Sequence, residues 1–441
     1  MNYTSLESND SEIFDLIKKE ETRQKEGLEL IPSENYASRA VLEANGSIFT
    51  NKYSEGYPGK RYYGGNLIVD QLETLCQKRA QEVFGAGEYR VNVQPYSGSP
   101  ANIAVYNALL QFGDTVLSLE LAQGGHLTHG SPVNFSGKAF KFIHYPLNPE
   151  TEQIDYDVVE KLAIEHKPKI ILSGFTAYPR KIDFAKFHEI AKKVGAISMA
   201  DISHISGLIA GGVHESPFPF TDIVTTTTHK TLRGPRAAMI FSKPEFADKI
   251  DKAIFPGSQG GPHEHTIAAI AVALKEAKEE NFKAYAEQIV KNTQALAESL
   301  QSEGIKLVSG GSDNHLLLID LRPFGPSKGI FIEKALDAAH ITVNKNTVPG
   351  DTASPFYPSG VRLGTPALTT RGMKEAEMKA VGKLMARVIH EFANTELPED
   401  KTARAEKIKS FEASLLSNEI VSTVKKEVYE LTKHFPVPGI E

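Results

Sequence analysis

The sequence predicts an α/β chain: a mostly parallel sheet in a large domain, an N-terminal arm, and a smaller α+β C-terminal domain. Three observations carry this. The chain has 441 residues, more than one hydrophobic core ordinarily organises, so two domains are expected. From about residue 67 to 241, short strand-like runs alternate with helical patterns, as in parallel strands joined by crossover helices. From residue 263 onward helical periodicity dominates, with few strand-like runs.

Each element follows from local pattern. Residues 11–28 set Ile13, Leu16 and Ile17 at helical spacing among Glu and Lys, predicting an amphipathic helix. Residues 51–66, NKYSEGYPGKRYYGGN, are too rich in Gly, Pro and Tyr for a regular helix or a central strand and predict an aromatic loop. A helix over Val69–Phe84, a strand over Tyr89–Gln94, a Ser/Gly turn at Ser97–Ser99 and a helix over Ala101–Gln111 come next. Strands are expected at Thr115–Leu119, Lys169–Ser173, Ala196–Ala200, Asp222–Thr226 and Ala237–Phe241, with a helix over Asp183–Val194. Residues 263–303 read as one long helical stretch leading to a second domain. That domain has a strand near Leu316–Asp320, helices near Ile330–Ala339 and Arg371–Phe392, and a final helix over Lys407–Thr432. The resulting division is an arm at 1–50, a large domain at 51–284 and a small domain at 285–441.

Composition narrows the function. A net charge of −6, with 41% hydrophobic and 24% charged residues, is that of a globular protein. Lys and Arg are scattered, which argues against nucleic acid or an anionic membrane as partner. A single cysteine, Cys76, precludes an intrachain disulfide and suits a reducing compartment. The polar, charged N-terminal thirty residues resemble neither a signal nor a transit peptide, and no apolar run is long enough to span a bilayer. A cytoplasmic location is expected.

Three sites carry candidate chemistry. The Ser97-Gly98-Ser99 turn opens a helix, where free N–H groups and hydroxyls suit a phosphate. On its own such a turn is more often a simple cap. Asp201 ends an apolar run at the carboxyl end of a strand, the ligand-binding edge of open α/β sheets, where a carboxylate can pair with a pyridinium nitrogen. A helix cap or surface turn is the equally ordinary alternative. Lys230 lies just past another strand and before Gly234-Pro235, where a desolvated amine near other cations can form a Schiff base. A solvated lysine is the commoner fate. Their order and spacing together are stronger than any one of them.

That layout resembles the aspartate-aminotransferase-like, fold type I group of pyridoxal-phosphate enzymes. Within it, the chain resembles serine hydroxymethyltransferases along nearly its whole length. The matching segments are Glu29–Asn35 (ELIPSEN), Asn51–Gly65 (NKYSEGYPGKRYYGG), Gly124–Gly137 (GGHLTHGSPVNFSG), Val224–Arg236 (VTTTTHKTLRGPR), Phe255–Pro262 (FPGSQGGP), Asp313–Leu316 (DNHL) and Gly360–Pro366 (GVRLGTP). The VTTTTHKT run is the most specific.

The resemblance implies pyridoxal 5'-phosphate bound covalently to Lys230, with Asp201 facing the ring nitrogen and His126 stacked on the ring. Ser97, Gly98, Ser99 and His229 would hold the phosphate. Tyr53 and Gly261 would reach it from the partner subunit of a homodimer with shared active sites, a tetramer being the alternative assembly. Thr176 and His204 would lie near the ring hydroxyl, and Thr227 joins the catalytic set. Ser33 and Arg362 would bind the substrate carboxylate, Tyr63 would flank the amino acid, and Glu55 would carry a proton. Leu121, Gly125, Leu127, Asn346, Ser354 and Phe356 would contact tetrahydrofolate, the co-substrate. The implied reaction moves the hydroxymethyl carbon of serine to tetrahydrofolate, giving glycine and 5,10-methylenetetrahydrofolate. No metal is implied: His263 and His265 are two apart on an expected helix, point different ways, and lack an evident third ligand.

Several positions depart from the family pattern. Pro100 follows Ser99 where Gln is usual, Tyr96 replaces His, Thr176 replaces Ser, and Ser203 stands where Ala is usual. Ala237-Ala238 replaces Gly-Gly, and Pro262-His263-Glu264-His265 also departs. These predict altered but intact cofactor binding. Two other readings are a folate-independent aldolase on the same scaffold, disfavoured by the retained folate positions, and a non-enzymatic regulatory role, disfavoured by the acidic balance.

Overall fold

The computed structural model describes residues 4–440. The chain forms two compact units: one spans residues 40–287, the other joins the segment ending at Arg39 to the chain from Gln288 onward.

The first unit is built on a seven-stranded sheet. Its strands are β1 (Arg90–Asn92), β2 (Thr115–Leu119), β3 (Lys141–Tyr145), β4 (Ile170–Ser173), β5 (Ile197–Asp201), β6 (Ile223–Thr227) and β7 (Ala238–Ser242). The spatial order is β1-β7-β6-β5-β4-β2-β3, parallel from β6 to β3, with β7 antiparallel to both its neighbours. Strands β4 to β7 are buried almost throughout, as expected of a sheet covered on both faces. Ala101, Ala104, Val105 and Tyr106 of α1 (Gly98–Leu109) pack into one core cluster with Val116, Ile170, Met199, Ile223 and Ile240 of the sheet.

The mostly parallel sheet is as expected, and the predicted strands lie within a residue or two of their observed bounds. The edge strand β3 was not predicted; its first four residues are exposed or half-buried and give only a weak apolar signal. Helices over Tyr156–His166 and Pro244–Ile254 were also missed. The aromatic loop contains a short hairpin pairing Gly56–Tyr57 with Lys60–Arg61. The stretch predicted as one helix over 263–303 is two, α2 (Glu264–Glu276) and α3 (Glu280–Ser302). Between them the Lys278 and Glu279 N–H groups bond back three residues, to the Lys275 and Glu276 carbonyls, which tightens the chain into a turn.

The second unit carries a three-stranded antiparallel sheet of β8 (Leu316–Asp320), β9 (Asn344–Asn346) and β10 (Gly360–Gly364), in the order β8-β10-β9. Leu317, Ile319, Val361 and Leu363 face a core filled from helices Gly329–Ala338, Glu375–Phe392 and Glu419–Thr432. The predicted final helix is two, Lys401–Leu415 and Glu419–Thr432; Asn418 caps the second by accepting from the Val421 N–H at 3.0 Å. The amphipathic N-terminal helix spans Ser11–Glu26, capped by Asp10. Arg371 fixes its end, donating at 2.8 Å to the carbonyls of Lys25 and Gly27.

Candidate active site

The carboxyl ends of β5 and β6 and the start of α1 meet around a cavity of about 150 Å³. Ser97, Gly98 and Ser99 line it from the helix start, Asp201, Ser203 and His204 from the end of β5, and Thr227, His229 and Lys230 from the end of β6. His126, Phe175, Thr176 and Arg236 complete the wall. Three segments singled out far apart in sequence therefore converge. Their closeness is built in: a Cβ on Gly98 would lie 2.8 Å from Thr227 Cγ2. Gly174, just past β4, has φ +127, and a Cβ there would lie 2.1 Å from the Asp201 carbonyl oxygen. Only glycine fits either requirement without displacement.

Asp201 is buried and held by four donors. Oδ2 accepts from Asn102 Nδ2 at 2.8 Å and faces His129 Nε2 at 3.3 Å. Oδ1 accepts from the Ser203 N–H at 3.1 Å and from its hydroxyl at 2.5 Å. Burial alone would raise the carboxyl pKa. The His129 hydrogen bond, the imidazole charges of His129 and His126, and the Ser203 hydroxyl outweigh it, holding Asp201 ionised well below the usual carboxylate range. Behind it, Thr225 Oγ1 donates to Asn102 Oδ1 at 2.8 Å, and Asn102 also donates to Thr128 Oγ1 at 3.0 Å. Thr128 in turn meets His126 Nδ1 at 2.7 Å and also donates its N–H to that nitrogen, fixing the ring.

Lys230 follows β6 by three residues and is half-buried. Its Nζ donates to Thr227 Oγ1 at 3.0 Å. The turn behind it is fixed by Gly234 N–H to the Thr228 carbonyl at 2.7 Å and by Thr228 Oγ1 to the Pro235 carbonyl at 2.6 Å. The Arg233 guanidinium lies 4.1 Å above the Tyr285 ring, which pins the same turn from outside. His229 is pushed down to about 3, by burial first and then by the charges of Lys230 and Arg236, so its ring is neutral at neutral pH. Its Nδ1 is buried without a hydrogen-bond partner.

A second cluster of predicted residues lies in the same unit but does not line the cavity. The Tyr53 hydroxyl donates to Glu55 Oε1 at 3.2 Å, Tyr53 and Tyr63 rings meet edge-on at 5.2 Å, and a Cβ on Gly261 would lie 3.7 Å from the Tyr53 ring. Tyr53 and Tyr63 are at least half exposed. The loop that carries them is firmly anchored. Arg61 donates to the carbonyls of Ser54 and Gly56 and to Asp70 at 2.8 Å, and to buried Glu73 at 2.5 Å. The Ser54 hydroxyl donates to buried Glu264 at 2.6 Å. Burial, and then the charge of Glu73, push Glu264 up to about 8.

In the second unit, Arg362 occupies the centre of β10, opposite Leu318 and Asn344. Its side chain is buried, and Nε donates to Asn344 Oδ1 at 2.9 Å. Burial pulls its pKa down to about 10, still charged at neutral pH. The Gly364 N–H donates to the Leu30 carbonyl at 2.7 Å, which brings the segment carrying Ser33 alongside this strand. The predicted folate residues fall in both units. Leu121, Gly125 and Leu127 lie in the first, where Leu121 and Leu127 are exposed. Asn346, Ser354 and Phe356 lie in the second; Asn346 ends β9, and Phe356 is exposed in a turn closed by the Tyr357 N–H and the Ser354 carbonyl.

Sequence reasoning flagged Ser203 as a departure without giving it a partner, and missed Asn102, His129, Phe175 and Arg236 at this site. Arg236 ends the same VTTTTHKTLRGPR run that carries Lys230 and was within reach. Asn102 and His129 are single polar residues whose role emerges only when α1 and the Gly124–Gly137 segment are folded against β5. His263 lies outside α2 as its cap, so its ring stacks 5.7 Å from that of His265, closer than helical spacing implied. Among the described residues no cluster of three or more potential ligands could hold a metal, and no helix is long and apolar enough to cross a membrane.

The cavity fits pyridoxal phosphate in its donor set. A helix start with two hydroxyls and a buried, unpartnered imidazole nitrogen suits the phosphate. An ionised carboxylate suits a pyridinium, and a strand-end amine suits an aldehyde. The serine hydroxymethyltransferase family model matches residues 6–385. A serine hydroxymethyltransferase of Desulfotalea psychrophila is 54% identical over 438 residues, covering 99% of this chain and 97% of its own. One of Koribacter versatilis is 60% identical over 378 residues, covering 86% of this chain and 88% of its own.

Proposed function

The chain belongs to the serine hydroxymethyltransferase family, and from that premise we propose how its residues share the reaction. The enzyme transfers the hydroxymethyl carbon of serine reversibly to tetrahydrofolate, leaving glycine. Family membership implies pyridoxal phosphate as cofactor. When bound, it supplies an electron sink conjugated to the α-carbon of the amino acid.

Lys230 would hold the cofactor through its aldehyde carbon, and the Thr227 hydroxyl positions that amine. Asp201, ionised and four-fold hydrogen-bonded, would keep a proton on the ring nitrogen. Ser97, Gly98, Ser99 and His229 would hold the phosphate, His126 would lie against the ring, and Thr176 and His204 would meet its hydroxyl. Arg362 clamps the substrate carboxylate, with Ser33 beside it, and so orients the bond to be broken. Glu55, hydrogen-bonded to Tyr53, moves the proton of the serine hydroxyl, with Tyr63 flanking the amino acid. Leu121, Gly125, Leu127, Asn346, Ser354 and Phe356 contact the folate. Tyr53, Glu55, Tyr63 and Gly261 form one cluster that does not line the cavity of their own chain, which supports a homodimer whose sites are completed across subunits.

The observation that carries this reading is the convergence of the Ser97–Ser99 helix start, Asp201 and Lys230 on one cavity. Turnover of serine with tetrahydrofolate tests it. Lys230→Ala is expected to abolish glycine release; parental turnover in that variant contradicts the assignment.

A further inference from the structure

The Ser203 side chain is fully engaged. Its Oγ donates to Asp201 Oδ1 at 2.5 Å and accepts from the Thr227 N–H at 3.0 Å. Thr227 Oγ1 in turn donates to the Ser203 carbonyl at 3.4 Å and accepts from Lys230 Nζ at 3.0 Å. Ser203 and Thr227 are both buried and both line the cavity. A methyl group makes none of these contacts. One hydroxyl therefore joins the acid at the end of β5 to the threonine at the end of β6 that receives the lysine.

We propose that Ser203 is a positioning residue of this enzyme: its hydroxyl locks Thr227 to Asp201 and so fixes the acceptor that Thr227 presents to Lys230. The link runs in one direction. The Asp201 charge polarises the Ser203 hydroxyl, which makes Oγ a better acceptor for the Thr227 N–H. Thr227 is thereby held with Oγ1 toward Nζ, stabilising a protonated nitrogen there. The proposal rests on the reading that Lys230 holds the cofactor.

The test compares parent and S203A holoenzymes, following the cofactor absorbance band across pH. Without Oγ the Thr227 N–H loses its acceptor, Thr227 loosens, and the nitrogen at position 230 keeps its proton less firmly. The titration midpoint is expected to fall by about half a pH unit or more. S203G, which also lacks the hydroxyl, shifts the same way. Asp201, His126, His204, His229 and Arg236 share the cavity with Lys230 and keep their identity in both variants, which remove the Ser203 hydroxyl and with it the bonds to Asp201 and to Thr227. A packing role alone lowers the melting temperature and leaves the midpoint in place; that result, or a rising midpoint, overturns the proposal. The underlying reading is tested separately by K230A, which retains the band only if another residue holds the cofactor.

Discussion

Burial of charge decides how individual residues work here. Arg362 is buried on an interior strand, where its planar fork can meet a carboxylate with two parallel hydrogen bonds. A lysine at this position keeps the charge and loses the fork. Arg362→Lys is expected to lower kcat/KM for serine by about 100-fold, mostly through KM, because carboxylate binding is shared by ground and transition states. Steady-state kinetics with serine as the varied substrate checks this; an unchanged KM refutes the role. Asp201 is the converse case, a buried acid kept charged by surrounding donors. Asp201 and Lys230 stood out from their places at strand ends, and Arg362 from the GVRLGTP segment that carries the family resemblance. Asn102 and His129 were illegible because amide and imidazole groups are common, and Ser203 stood out only as a departure; the geometry of all three toward Asp201 exists only after folding.

Among the elements, the aromatic loop over residues 51–66 depends most on its anchors. Its glycines and tyrosines marked it as irregular chain, yet Arg61 and Ser54 tie it to two buried carboxyls, Glu73 and Glu264. The buried environment raises the pKa of both acids, Glu264 to about 8. A carboxyl raised above its unfolded value of 4.5 stabilises the fold fully below that value. This contribution is lost as pH rises through about 8. Glu264→Gln keeps an acceptor for Ser54 and removes the titration. The melting temperature of E264Q relative to the parent is therefore expected to rise between about pH 6 and about pH 9. A difference constant across that range contradicts the assignment. The loop anchors could not be read from sequence, since Ser54 and Glu264 lie 210 residues apart. The breaks in the predicted 263–303 and 407–432 helices were missed for a local reason: neither contains Pro or Gly. Only the Ser417-Asn418-Glu419 cap chemistry hinted at the second.

At the scale of the whole molecule, the alternation of strand and helix made the parallel sheet legible, because its buried strands are short runs rich in apolar and β-branched residues. Strand β3 escaped because an edge strand is only half covered. The grouping of Tyr53, Glu55, Tyr63 and Gly261 apart from the cavity leads to an assembly prediction. If these residues serve the partner's cofactor, mixing inactive Lys230→Ala and Glu55→Gln subunits restores one intact site per heterodimer. Random reassortment then recovers about a quarter of parental activity, since half the dimers are mixed and each has one intact site of two. No recovery in verified heterodimers means that Glu55 and Lys230 act within one chain. All of these roles depend on the amine at position 230. The most direct test is to reduce the purified holoenzyme with borohydride, digest it with trypsin and locate the phosphopyridoxyl group by mass spectrometry. The account predicts a single modified peptide, uncut after Lys230; the group on any other lysine, or on none, contradicts it.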